Sequence, residues 1–135
     1  MDAWGRMVRI FKNAWFERFA RKQKIPDAAL VEAVQRAERG QIDADLGGGV
    51  LKQRIARPGQ GKSGGYRTII LYLKEQRAFF VYGFAKNDRD NIDKNEEEQF
   101  RKAAKQVLGL STENLVKLIR KGRFSEVRGN GEEVP

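Results

Sequence analysis

At 135 residues, 40% of them hydrophobic and 33% charged, the chain has the size and composition of one soluble domain with a real core. Its longest apolar run, Ala78 to Ala85, is far too short to cross a bilayer. The sequence has no His and no Cys, which excludes disulfides, thiolate nucleophiles, Cys/His zinc sites, Ser-His-Asp triads and every histidine acid or base. Its 27 Lys and Arg against 18 Asp and Glu give a formal charge of +9, a balance that points to a polyanionic partner, most often nucleic acid.

In chain order, residues 1–12 show no apolar stretch with a cleavage site, so no signal peptide is expected and the protein is assigned to the cytoplasm. Val8 to Lys12 is a short β-type run. Asn13 then caps a helix with Trp15, Phe16, Phe19 and Ala20 at helical spacing. Pro26-Asp27 separates this helix from a second, capped by Asp27, whose stripe Leu30, Val31, Val34 and Ala37 ends at Gly40.

Gly47-Gly48-Gly49 breaks the helical period, and from Val50 the period becomes two. Alternation over residues 50–56 puts Leu51, Gln53 and Ile55 on one face and Val50, Lys52, Arg54 and Ala56 on the other. A glycine-rich loop, Pro58 to Gly65, leads to a strand from Tyr66 to Leu73, and Lys74 to Arg77 turn the chain into a third strand, Ala78 to Ala85. The three form an antiparallel meander. A polar loop, 86–91, precedes a helix bearing Phe100, Ala103, Ala104, Val107 and Leu108 and closing at Gly109. Ser111 caps a last helix with Leu115, Val116, Leu118 and Ile119 on its buried face, and residues 128–135 are expected to be a disordered tail.

The fold class is therefore α+β, a single domain over residues 1–127 with two N-terminal helices on one face of the sheet. The second face is expected to stay open, and Lys52 and Arg54 belong on it or at its rim because burying unpaired charge is costly.

The charge is concentrated. Residues 48–90 carry nine basic and three acidic side chains, and 1–25 carry seven and two, whereas 26–47 carry two and five. Gly61-Lys62-Ser63 matches the end of a phosphate-binding loop, but Ala56 stands where the first glycine belongs and no helix follows, so nucleoside triphosphate binding is set aside. A glycine loop that lets Lys62 approach a phosphate remains. Lys52, Arg54 and Arg67 come from adjacent strands, Arg57 and Lys62 from the loop above them, and Lys86, Asn87 and Arg89 from the end of the third strand. Such a group suits a phosphodiester and its pentacovalent transition state. Asp88, Asp90, Asp93 and Glu96 to Glu98 fall at a helix start, where carboxylates favour the helix dipole, so no metal and no cofactor are expected.

The stretches Leu51 to Ile55, Gly61-Lys62-Ser63-Gly64-Gly65-Tyr66-Arg67-Thr68-Ile69-Ile70 and Phe79 to Asn87 resemble the RelE/HigB-like toxins of type II toxin–antitoxin systems, over roughly residues 8–108. The resemblance implies a small microbial ribonuclease fold and a metal-independent mRNA interferase that cuts message in the ribosomal A site by attack of a ribose 2′-OH on the adjacent phosphate. It implies catalytic roles for Lys52, Arg54, Lys62, Arg67 and Lys86, and RNA contacts from Arg57, Tyr66, Asn87 and Arg89. The partners it implies are an antitoxin, of helix-turn-helix type, the ribosome and mRNA. Many such toxins have a Tyr near the C-terminus, yet this chain has none after Tyr82, which leaves Tyr66 or Lys86 for that role. A base without histidine requires a lysine shifted down by neighbouring cations, Lys52 or Lys62. Two other readings fit parts of the sequence: a ParE-like toxin that poisons DNA gyrase without nuclease activity, and a non-catalytic basic nucleic-acid-binding module.

Overall fold

The computed structural model describes residues 8–57 and 61–128, with backbone alone at 61–63. Residues 58–60 of the glycine-rich segment, the Lys62 side chain and the tail beyond Arg128 lie outside the described residues. The elements are β1 (Arg9–Asn13), α1 (Ala14–Gln23), α2 (Asp27–Glu38), β2 (Ala44–Gly47), β3 (Val50–Arg57), β4 (Gly61–Leu73), β5 (Arg77–Ala85), α3 (Lys94–Val107), α4 (Thr112–Arg120) and β6 (Phe124–Glu126). The strands form one sheet in the order β2-β3-β4-β5-β1-β6. Among the described residues only the β1/β5 pair is parallel, from Arg9 opposite Arg77 to Lys12 opposite Phe80.

Asn13 joins the first strand to the first helix. Its Oδ1 accepts from the Phe16 N–H at 2.7 Å, satisfying one of the helix's orphan donors, and its Nδ2 donates to the Val81 carbonyl at 3.2 Å. The helix then lies close on β5 because Gly83 leaves room: a Cβ there would sit 2.8 Å from a ring carbon of Phe19 and 3.1 Å from one of Phe16. Helices α1 and α2 cover one core of Phe16, Leu30, Val34, Leu51, Ile55, Ile70 and Phe80. The antiparallel meander β3-β4-β5 and the two N-terminal helices are as the periodicities predict.

Four features differ from the sequence expectation. Pro26, not Asp27, occupies the cap position of α2; Asp27 is its first helical residue, and its carboxylate pairs with the Lys12 ammonium at 3.3 Å. Strands β2 and β6 are too short to show a period. Strand β4 begins at Gly61, and the reason for Gly65 is space: a Cβ there would lie 2.1 Å from the Ile55 carbonyl oxygen, so the glycine permits close strand approach. Finally, the second face is not open. Helices α3 and α4 bury a second core of Phe11, Val50, Ile69, Leu71, Phe79, Ala104 and Leu115, because their own apolar stripes require a partner surface. Lys52, Arg54 and Arg67 lie on this same face, Arg54 exposed and Arg67 buried.

Candidate functional site

The register of the central strands builds the site. On the face shared with α3 and α4, Arg54 lies directly opposite Arg67, and Arg67 opposite Phe84. The next row along is Lys52, Ile69 and Tyr82. Facing residues on neighbouring strands have Cβ atoms about 5 Å apart, and like charges in that position destabilise a sheet. Arg54 is exposed, but Arg67 is only 8% exposed. Burial, and next the charge of Arg54, weaken the hold of Arg67 on its proton, while the Asp43 carboxylate strengthens it. A guanidinium remains charged through such a change. Two cations held against each other in this way are poorly explained by stability and well suited to an anion with oxygens to spare.

The segment after β5 completes the cluster. Arg89 folds back over the sheet, donating from Nη1 to the Tyr82 hydroxyl and from Nε to the Asn91 carbonyl, each at 2.9 Å, and from Nη2 to Glu96. Its guanidinium lies 5.8 Å from the ring centre of Tyr82 and 5.7 Å from that of Phe84. The bonds to Glu96 and Tyr82 raise the proton affinity of Arg89, and the same Arg89 bond lowers that of Glu96. Lys52 reaches the segment from the other side, its Nζ donating to Asn91 Oδ1 at 2.9 Å. Glu96 has a second duty: with Asp93 it forms the capping box of α3.

Of the residues singled out in the sequence, Lys52, Arg54, Arg67 and Arg89 are brought together. Lys86 and Asn87 are exposed on the turn after β5, where the Lys86 N–H meets the Gly65 carbonyl at 3.3 Å. Arg57 and Tyr66 are placed elsewhere. Tyr66 is buried on the opposite face, edge-on to Phe19, with its hydroxyl donating to Gln23 Oε1 at 3.2 Å, and Arg57 lies over its ring at 5.5 Å. Because side chains alternate along a strand, Tyr66 and its neighbour Arg67 cannot serve the same face, and Tyr66 could stack on a base only by leaving the core. From the sequence alone Asn91 and Tyr82 have no site role and Glu96 is only a helix-start carboxylate, since only the cross-strand register and the returning segment bring them in.

Among the described residues no three acidic side chains converge as metal ligands, and no helix is long and apolar enough to cross a membrane. A family model described as the RelE toxin of the RelE/RelB toxin–antitoxin system matches residues 8–127, which spans every strand and helix from β1 to β6.

Proposed function

The chain belongs to the RelE toxin family and is thus the toxin of a toxin–antitoxin pair with an antitoxin as its partner; from that premise we propose that it is a ribosome-dependent endoribonuclease that cuts mRNA in the cytoplasm without a metal. The observation that carries this reading is the exposed Arg54 opposite the largely buried Arg67, with Lys52 one row along, on the sheet face shared with helices α3 and α4. In the proposed reaction the ribose 2′-oxygen attacks the adjacent phosphorus. Its proton passes to a base, the P–O5′ bond breaks, and the departing 5′-oxygen gains a proton, leaving a 2′,3′-cyclic phosphate and a 5′-hydroxyl.

Arg54 and Arg67 would hold the non-bridging oxygens as negative charge builds on the phosphorane, a role in which removal of one donor costs about 100- to 1,000-fold in rate. Lys52 is the basic side chain of the cluster that also reaches the Asn91 amide, and it is the candidate proton acceptor beside Lys62. Lys86 and Asn87, exposed on the turn, would contact flanking phosphates. With no histidine to move protons, most of the rate would come from the ribosome fixing the message in a reactive geometry. The antitoxin is proposed to be a helix-turn-helix protein encoded beside the toxin.

Mapping message 5′ ends after induction tests the reading. New 5′-hydroxyl ends within codons, abolished by Arg67→Ala, are expected; replication arrest ahead of translation arrest, with intact message, would overturn it.

A further inference from the structure

Strand β2 covers the outer edge of β3 only from Val50 to Lys52. Beyond that point the two backbone groups of Arg54 are satisfied by side chains instead of a strand. Asp43 Oδ2 accepts from the Arg54 N–H at 2.7 Å, and Arg36 Nη2 donates to the Arg54 carbonyl at 2.5 Å. The two side chains also meet each other, Arg36 Nη1 lying 3.5 Å from the same Asp43 oxygen.

Both are themselves held. Arg36 is buried on α2, with Nε 3.0 Å from Glu32, and the Asp43 N–H donates to the amide oxygen of Gln53 at 2.7 Å. A buried arginine on the inner side of a helix is an expensive way to fill space, since an apolar side chain of similar volume often serves stability as well or better. Its value here is directional: one planar guanidinium spans a carboxylate and a carbonyl on two different segments. An open strand edge beside two opposed cations would otherwise be free to splay apart, because Arg54 and Arg67 repel each other.

We infer that Arg36 and Asp43 are positioning residues, an ion-paired cap that stands in for the missing strand and fixes Arg54 opposite Arg67 for phosphate contact. This rests on the nuclease reading above. Neither residue needs to touch RNA.

The test is single-turnover cleavage of a programmed ribosomal message, with folding followed by circular dichroism. Arg36→Met is expected to slow the maximal rate about 10- to 100-fold, as small misplacements of catalytic groups do, with the message concentration for half-maximal rate nearly unchanged. Asp43→Asn keeps an oxygen for the Arg54 N–H but loses the charge, so it should fold and lose about 3- to 10-fold. The decisive comparison is Arg36→Met in an Arg54→Ala background, where no further loss is expected because the effect acts through Arg54. An equal further loss there, wild-type rates in the folded single variants, or failure of Asp43→Asn to fold would overturn the inference and leave the nuclease reading intact. A wild-type chain that cuts no message would remove both.

Discussion

Lys52, Gln53 and Arg54 are consecutive residues of one strand, yet they belong to two differently organised faces. Gln53 points under α2, is fully buried, and uses its whole amide: Nε2 donates to the Ala33 and Gln41 carbonyls at 3.0 and 3.3 Å, and Oε1 accepts from the Asp43 N–H at 2.7 Å. Arg54 points the other way, directly against Arg67. On the first face polar groups are satisfied inside the protein. On the second, the exposed Arg54 opposes the buried Arg67, the pair proposed to receive a phosphate. On the proposed reading, alternation along one strand puts a core residue between two site residues.

Changes on the second face should therefore reduce activity far more than stability. Arg67→Ala is expected to lower message cleavage by at least about 100-fold, measured as single-turnover rate on programmed ribosomes. Arg54→Ala should lose activity on a similar scale while folding stability stays level or rises by about 0.2–1 kcal/mol, because a like-charge opposition is removed. A urea midpoint for Arg54→Ala well below that of the wild type would show that the strand needs this arginine for folding and would break the contrast between the faces.

Changes on the first face should do the reverse. Gln53→Leu takes its partner from the Gln41 carbonyl and the Asp43 N–H and a second bond from the helical Ala33 carbonyl, and each buried group left unsatisfied costs about 1–3 kcal/mol, so a loss of about 2 kcal/mol or more in urea denaturation is expected. Gly83→Ala, where α1 presses on β5, should cost about 1–3 kcal/mol through overpacking against Phe19 and Phe16. Gly83→Ala, assayed where it remains folded, should retain most of its cleavage rate, whereas Gln53→Leu also frees the Asp43 N–H and should lose some activity through Asp43 and Arg54. If Gly83→Ala proved neutral, the close approach of α1 would not be a constraint on the fold.

Much of this division was legible in the sequence. The period of two over residues 50–56 assigns Lys52 and Arg54 to one face and Gln53 to the other, and the caps Asn13 and Ser111 mark helix starts that the structure keeps. What escaped has physical causes. A strand of three or four residues, such as β2 or β6, is too short to display a period. The expectation of an open second face overlooked that the stripes of α3 and α4 also need burial. The resemblance gives Tyr66 a role at the RNA beside Arg67, but neighbours along a strand point to opposite faces. The role of Asn91 depends on a segment folding back on the sheet, which no local pattern announces. The match to the family extends to residue 127, past the limit near 108 that the motifs alone suggested, and so takes in α4 and β6.

The smallest effect expected concerns the segment that folds back. Glu96 is held below the ordinary carboxylate range, first by its bond to Arg89 and then by the Asp93 N–H. A carboxyl whose folded pKa is depressed stabilises the fold fully above its unfolded value, about 4.3, and loses that contribution as pH falls through the lower folded value. Acid should therefore release Arg89 from Glu96 only once the pH falls below the ordinary carboxylate range, while the bonds from Arg89 to Tyr82 and Asn91 persist. Glu96→Gln keeps an oxygen for the Asp93 N–H, so the start of α3 should survive, but it removes the group that titrates. Urea midpoints taken between about pH 3 and 7 should fall more steeply on the acid side for the wild type than for Glu96→Gln. Superimposable acid limbs would mean that Arg89 is held by the sheet aromatics and Asn91 alone, and the second face would then owe its geometry to β5 rather than to α3.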